Sequence, residues 1–151
     1  MENSRIEKQI TIAAPISRVW RALTDHQQFG EWFRVKLDGP FTPGQPSTGF
    51  MTWPGYEHVQ WNAVVQKIEP ERFFSFTWHP YALDPNRDYS TELPTLVEFT
   101  LEPSNGATIL SVVESGFEHI PAERRAEAFL RNSGGWAQQM ENINTYVLAT
   151  A

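Results

Sequence analysis

Near the middle of the chain, aromatic residues alternate with polar ones. Over residues 72–79, Phe74, Phe76 and Trp78 occupy every second position, with serine, threonine and histidine between and after them. Successive side chains of a strand point to opposite faces, so this pattern predicts a β-strand with one aromatic and one polar face. Large rings contribute most to burial, so the aromatic face is expected to meet the core.

Further segments on both sides of this strand show strand or helix patterns. Apolar residues at helical spacing over Pro15–Leu23, and again after a capping Asp25, predict two short helices. The polar, breaker-rich stretch Pro80–Pro94 predicts a long, mobile loop near a cavity entrance. The other predicted strands are Arg5–Ala13, Val35–Leu37, Gly49–Trp53, His58–Glu69, Thr95–Glu102 and Ala107–Phe117.

The end of the chain is predicted to be helical. Pro121 suits a first helical turn, and Trp136, Met140, Ile143 and Val147 form one apolar stripe. Ser133-Gly134-Gly135 predicts a break or kink within this helix. Strands followed by a helix on one face indicate an α+β fold, in which a curved antiparallel sheet wraps around the C-terminal helix.

Composition excludes several classes of function. A length of 151 residues favours a single domain over residues 1–151, and the absence of cysteine excludes disulfides and thiolate metal sites. The net charge of -6, without clustered Lys or Arg, argues against nucleic-acid binding. Neither a signal peptide nor a membrane-spanning apolar run is found, so the sequence predicts a soluble, cytoplasmic protein without integral membrane association.

Four motifs in the same order resemble a known family. ITIAAPISRVWRALTDHQQFGEW (Ile10–Trp32) is similar to the opening signature of START-like (SRPBCC) proteins. IEPERFFSFTW (Ile68–Trp78), ESGF (Glu114–Phe117) and GGW (Gly134–Trp136) resemble the branch named for activators of heat-shock-protein ATPase. The resemblance implies the helix-grip fold of the birch-pollen-allergen class, and it covers essentially the whole chain.

Three functions are consistent with this resemblance. Relatives commonly bind hydrophobic molecules between sheet and helix, so the leading hypothesis is a binding protein for a hydrophobic or aromatic small molecule, with no cofactor. The alternatives are a cyclase- or hydrolase-type enzyme using the same pocket, and a chaperone-associated protein-interaction module. The eukaryotic activators carry an additional N-terminal domain, for which this sequence leaves no room, and this weighs against the third hypothesis. No feature of the sequence indicates a particular protein partner.

The candidate ligand-binding residues combine the aromatic strand, the last two strands and the helix. Trp78 and Trp136 are predicted to line one cavity, although each inward ring is equally compatible with ordinary core packing. None of the four histidines has a metal-ligand spacing, so no metal site is predicted. The full set is Phe74, Phe76, Trp78, Phe99, Leu110, Val112, Glu114, Trp136 and Met140.

Glu114 is the candidate catalytic residue and the most informative polar member of this set. Strand parity places it on the same face as Leu110 and Val112, which would turn it inward. The opposite face also carries apolar residues, so the sequence leaves open which face is buried. An inward carboxylate needs partners, because a lone buried charge is costly; the alternative is an exposed or paired strand residue.

Overall fold

The structure, a computed structural model, describes residues 5–80, 88–89 and 91–150. Its elements follow the predicted order of a strand, two short helices, six strands and a long helix. A 3-10 turn at Phe117–His119 precedes the last helix. The elements are β1 (Arg5–Ile12), α1 (Ile16–Thr24), α2 (His26–Phe33), β2 (Val35–Leu37), β3 (Pro46–Met51), β4 (Gln60–Glu69), β5 (Phe73–Trp78), β6 (Thr95–Ser104), β7 (Ala107–Ser115) and α3 (Ala122–Ala149).

The described strands form one antiparallel sheet in the order β1-β7-β6-β5-β4-β3-β2. The first strand of the chain therefore pairs with the last, and β2 forms the opposite edge. The sheet is curved, and α3 packs against it through Trp136, Met140, Ile143 and Val147, which are all buried. This arrangement confirms the predicted α+β helix-grip fold.

The exact limits of some strands differ from the prediction. β3 covers Pro46–Met51 rather than Gly49–Trp53, because Ser47 and Thr48 already pair with β4. β7 ends at Ser115, since Gly116 adopts a φ of 100° and turns the chain into the 3-10 segment. Most of the predicted loop Pro80–Pro94 lies outside the described residues, which resume at 88–89 and 91.

The predicted break in the last helix is wrong. α3 runs without interruption from Ala122 to Ala149, through Gly134 and Gly135. Both glycines are exposed, and a β-carbon added at either one would meet no atom within 4 Å. Packing of the apolar stripe beyond them outweighs their low helix propensity, since tertiary contacts supply most of the stability of helices in proteins.

Replacing either glycine with alanine is expected to stabilise the protein. Because each site is exposed, helical and free of steric conflict, Gly134→Ala and Gly135→Ala should each raise the free energy of unfolding by about 1 kcal/mol. Urea denaturation of the two variants and the wild type measures this. A loss of stability in either variant would mean that the helix is not continuous at that point.

Candidate functional site

Strand β7 turns Glu114 into the core. Glu114, Leu110 and Val112 share one face of the strand and are each 0% exposed. Ile109 and Val113, on the opposite face, are only partly buried. Glu114 therefore belongs to the concave side of the sheet, as its parity with Leu110 and Val112 suggested.

The Glu114 carboxylate accepts hydrogen bonds from three other elements. Trp78 Nε1 at the end of β5 donates to Oε2 over 2.7 Å, and the Thr95 hydroxyl of β6 donates to the same oxygen over 2.5 Å. From α3, Asn132 Nδ2 and Trp136 Nε1 each donate to Oε1 over 2.8 Å. Each oxygen thus receives two donors, which offsets the cost of removing a carboxylate from water.

The nature of these donors defines the role of Glu114. Indole and side-chain amide N–H groups can only donate, so three of the four partners require an acceptor. An ionised carboxylate meets this requirement at both oxygens. Proton transfer through Glu114 would require at least one of these bonds to break, so the arrangement favours a positioning role.

A small recess lies beside this carboxylate, between α3, the end of β5 and the end of α2. Its volume is about 90 Å³ and its lining is mostly apolar. Four of its residues come from one face of α3, at the spacing i, i+3, i+4 and i+7. The lining residues, which together we call the aromatic recess, are Phe33, Trp78, Asn132, Gly135, Trp136 and Gln139.

The turn after α2 places Phe33 in the aromatic recess. Arg34 ends the helix in the left-handed conformation, with a φ of 67°, and β2 begins at the next residue. Gly30 allows this close return, since a β-carbon there would lie 2.3 Å from the Val35 carbonyl oxygen. Asp25 caps the same helix by accepting from Gln27 N over 2.9 Å, as the sequence predicted.

The three rings of the aromatic recess contact one another. The ring centroids of Trp78 and Trp136 are 5.8 Å apart, and Phe33 lies 6.2 Å from the first and 6.1 Å from the second. The indole N–H edges are held by Glu114, which is not itself among the lining residues. The carbon surfaces of the rings are therefore the parts that a ligand can reach.

Most of the candidate residues lie deeper in the core. Trp78 and Trp136 border the aromatic recess together, whereas the other seven do not. Phe74 and Phe99 stack with centroids 6.1 Å apart, and Phe99 contacts Trp136 at 5.6 Å. These seven are fully or almost fully buried behind the recess: Phe74, Phe76, Phe99, Leu110, Val112, Glu114 and Met140.

Sequence reasoning did not single out four residues of the aromatic recess. Asn132, Gly135 and Gln139 share a helix face with Trp136, so helical spacing alone contained the signal for them. Phe33 lies at the end of the second short helix, but nothing in the sequence indicated that this helix ends against Trp78.

A buried ion pair lies where β5 ends. The Arg124 guanidinium bonds to both carboxylate oxygens of Glu92, with an NH2 to Oε1 distance of 2.6 Å, and the two side chains are 9% and 5% exposed. Arg124 also donates to the Pro80 carbonyl over 3.0 Å, and His79 Nε2 donates to the Glu92 carbonyl over 2.8 Å. This network, which the sequence did not reveal, fixes residues just after Trp78 to the start of α3.

In the described part of the chain, no group of three or more His, Asp or Glu side chains is placed to hold a metal ion. Among the described helices, none combines the length and apolar character needed to cross a bilayer.

Comparison with known protein families shows to which of them the chain belongs. The family described as "Activator of Hsp90 ATPase homolog 1-like protein" matches residues 13–147. The chain belongs to this family. Its members share the SRPBCC helix-grip fold described above. No curated protein matches the sequence significantly.

Solved structures show the same fold. Protein MLL2253 from Mesorhizobium loti is 29% identical, with a TM-score of 0.76, and the match covers 97% of this chain and 98% of that one. DynU16, a protein of the dynemicin biosynthetic locus, is 23% identical over 97% of this chain and 48% of its own, with a TM-score of 0.71. The Aha1 dimer from Colwellia psychrerythraea is 19% identical over 95% of both chains, with a TM-score of 0.69.

Removing the charge of Glu114 is expected to destabilise the protein. In Glu114→Gln the new amide group must face donors rather than acceptors, leaving at least one buried donor unpaired. Unfolding free energy should fall by roughly 2–3 kcal/mol. Glu102→Gln, on an exposed position of β6, is the control and should change stability by less than about 0.5 kcal/mol. Equal effects of the two substitutions would show that the four hydrogen bonds do not stabilise the fold.

The ion pair of Arg124 and Glu92 is expected to be strongly coupled. Arg124→Met or Glu92→Met alone removes one charge of the buried pair, leaves the opposite charge poorly compensated and should cost about 3–5 kcal/mol. The double variant should lose clearly less than the two single losses added together. The exposed Glu127–Arg131 pair is the control cycle, with an expected coupling below about 0.5 kcal/mol. Strict additivity at Arg124 and Glu92 would contradict the pairing.

Proposed function

We propose that this protein binds a small apolar or aromatic molecule in the aromatic recess. The observation that carries the proposal is that three aromatic rings, those of Phe33, Trp78 and Trp136, border a small apolar opening between α3 and the sheet. Concave, mostly apolar sites with a few polar groups are typical of ligand sites. The helix-grip relatives that the sequence resembles commonly bind hydrophobic molecules between sheet and helix.

The size of the aromatic recess limits the ligand. A volume of about 90 Å³ is well below the roughly 300 Å³ at which pockets for drug-sized molecules begin. The proposed ligand is therefore a single ring or a compact apolar group, or it inserts only one such group. Its direct contacts would be with Phe33, Trp78 and Trp136, while Asn132 and Gln139 supply polar contacts at the rim.

The remaining candidate residues have a supporting role in this proposal. Phe99 packs against Trp136, and Phe76 packs against Trp78 at a centroid distance of 5.5 Å. Glu114 holds both indoles by their N–H groups. We therefore assign Glu114 to orienting the ligand-binding rings, in preference to the enzyme hypothesis in which it transfers a proton.

A protein-interaction role remains a second candidate because of one surface feature. Phe50, Trp53 and Tyr56, at the end of β3 and in the turn that follows, are 50%, 38% and 52% exposed. Exposed aromatic groups of this kind are enriched at interfaces between proteins. Substitution of Phe50 and Tyr56 by serine should leave small-molecule binding unchanged, and it would abolish a protein contact made there.

Filling the aromatic recess from the helix provides the test of the proposed function. Gly135 is a lining residue, and a β-carbon there meets no atom within 4 Å, so the side chain of Gly135→Leu should occupy the opening without straining the backbone. Gly134→Leu is the matched control on the same helix, outside the lining. Native mass spectrometry for a co-purifying molecule, and calorimetric titration with single-ring aromatic compounds, would detect binding.

The expected result is binding by the wild type and by Gly134→Leu, with at least a tenfold loss in Gly135→Leu. Both leucine variants should fold, since each replaces a glycine in an exposed helix position. Unchanged binding by Gly135→Leu would place the ligand elsewhere. Absence of binding to the wild type across the whole set of compounds would refute the proposed function.

A further inference from the structure

In the described part of the chain, no positively charged group pairs with the buried carboxylate behind the aromatic recess. Glu114 is 0% exposed, and its four hydrogen-bond partners are two indoles, an amide and a hydroxyl, all of them neutral. Neutral donors stabilise an anion without cancelling its charge. In the low effective dielectric of a protein core, the field of such a charge reaches neighbouring groups with less screening than in water.

Two of these donors are the tryptophans that border the aromatic recess. When an indole N–H donates to an anion, the bond polarises the ring and shifts electron density toward its faces. The face of tryptophan is already the strongest of the aromatic faces in attracting cations. Trp78 and Trp136 therefore present surfaces to the recess that are made more negative by the same residue, Glu114.

The rest of the lining adds no opposing charge. Among the described lining residues there is neither a lysine nor an arginine. Asn132 uses its amide N–H toward Glu114, which leaves its carbonyl oxygen as the acceptor that it offers to a ligand. The net charge of -6 also favours the approach of cations over anions.

We propose that the aromatic recess selects a cation, namely the quaternary or alkylated ammonium group of its ligand. This inference rests on the proposed function and narrows its ligand class. An alkylated ammonium presents methyl groups to the apolar lining and its charge to the ring faces, which is how aromatic sites recognise such ions. The recess of about 90 Å³ accommodates a compact head group of this kind rather than a long chain.

Two compounds of the same shape test the role of charge. Choline carries a trimethylammonium group, and 3,3-dimethylbutan-1-ol carries a neutral tert-butyl group in its place. Titration calorimetry with the wild type should give at least a tenfold lower Kd for choline, a difference of about 1.4 kcal/mol. Equal affinity, or tighter binding of the neutral alcohol, would overturn the selection of a cation while leaving the proposed function intact.

Absence of binding by both compounds would also overturn this inference. The titrations with single-ring aromatic compounds then decide the proposed function separately. If these compounds bind to the wild type and not to Gly135→Leu, the proposed function stands with a neutral aromatic ligand. If they do not bind at all, both proposals are refuted.

Variants that add a positive charge to α3 test whether the preference for a cation arises in the aromatic recess. Gln139→Lys introduces a positive charge at the rim of the aromatic recess and should weaken choline at least fivefold without weakening the neutral alcohol. Gln138→Lys is the matched control, since it makes the same charge change on an exposed, non-lining position. Equal loss of choline binding in both variants would attribute the preference to net charge and overturn the assignment to the recess. Glu114→Gln, if it folds, should bring the two affinities close together.

Discussion

The fold of this protein is organised around one buried carboxylate. Glu114 receives donors from β5, β6 and α3, so a single side chain joins the middle of the sheet to the helix that crosses it. Asn132 and Trp136 are one helical turn apart and bond to the same oxygen, which fixes both the rotation and the axial position of α3. Hydrophobic packing alone is non-directional and tolerates alternative settings of a helix on a sheet. A buried carboxylate does not tolerate alternative positions of the helix, because each donor that moves away leaves a buried polar group without a hydrogen bond.

The sequence contained the fold but not this network. Period-two alternation predicted β5, and a helical stripe predicted the buried face of α3, because local periodicity directly reflects which side of an element is covered. The partners of Glu114 lie 18 to 36 residues away from it in the chain. No local pattern connects them, and β7 has apolar residues on both faces, so even the direction of Glu114 was ambiguous. The resemblance to a known family predicted how the sheet and the helix are arranged. The hydrogen-bond donors to Glu114 can be identified only in the three-dimensional structure, where they lie next to it.

The error at the two glycines has the same origin. Local propensity predicts a break at Gly134 and Gly135, since each costs about 1 kcal/mol relative to alanine in a helix. Asn132 and Trp136 lie on either side of this pair, and both are bonded to Glu114. The helix is therefore held on both sides of the glycine pair, and these hydrogen bonds outweigh the low helix propensity of the two glycines. The missing side chain at Gly135 in turn leaves room for the aromatic recess.

These features account for a site at this place rather than elsewhere along the helix. Further along α3, Met140, Ile143 and Val147 are almost completely buried, so side chains close the gap between helix and sheet. Gly134 and Gly135 contribute no side chains here, and the large rings of Trp78 and Trp136 are held at their edges by Glu114 instead of filling the space. A residue that anchors the rings by their N–H groups leaves their carbon surfaces open to a ligand. The carboxylate thus defines the geometry of the recess without lining it, and it also determines the sign of the charge behind those surfaces.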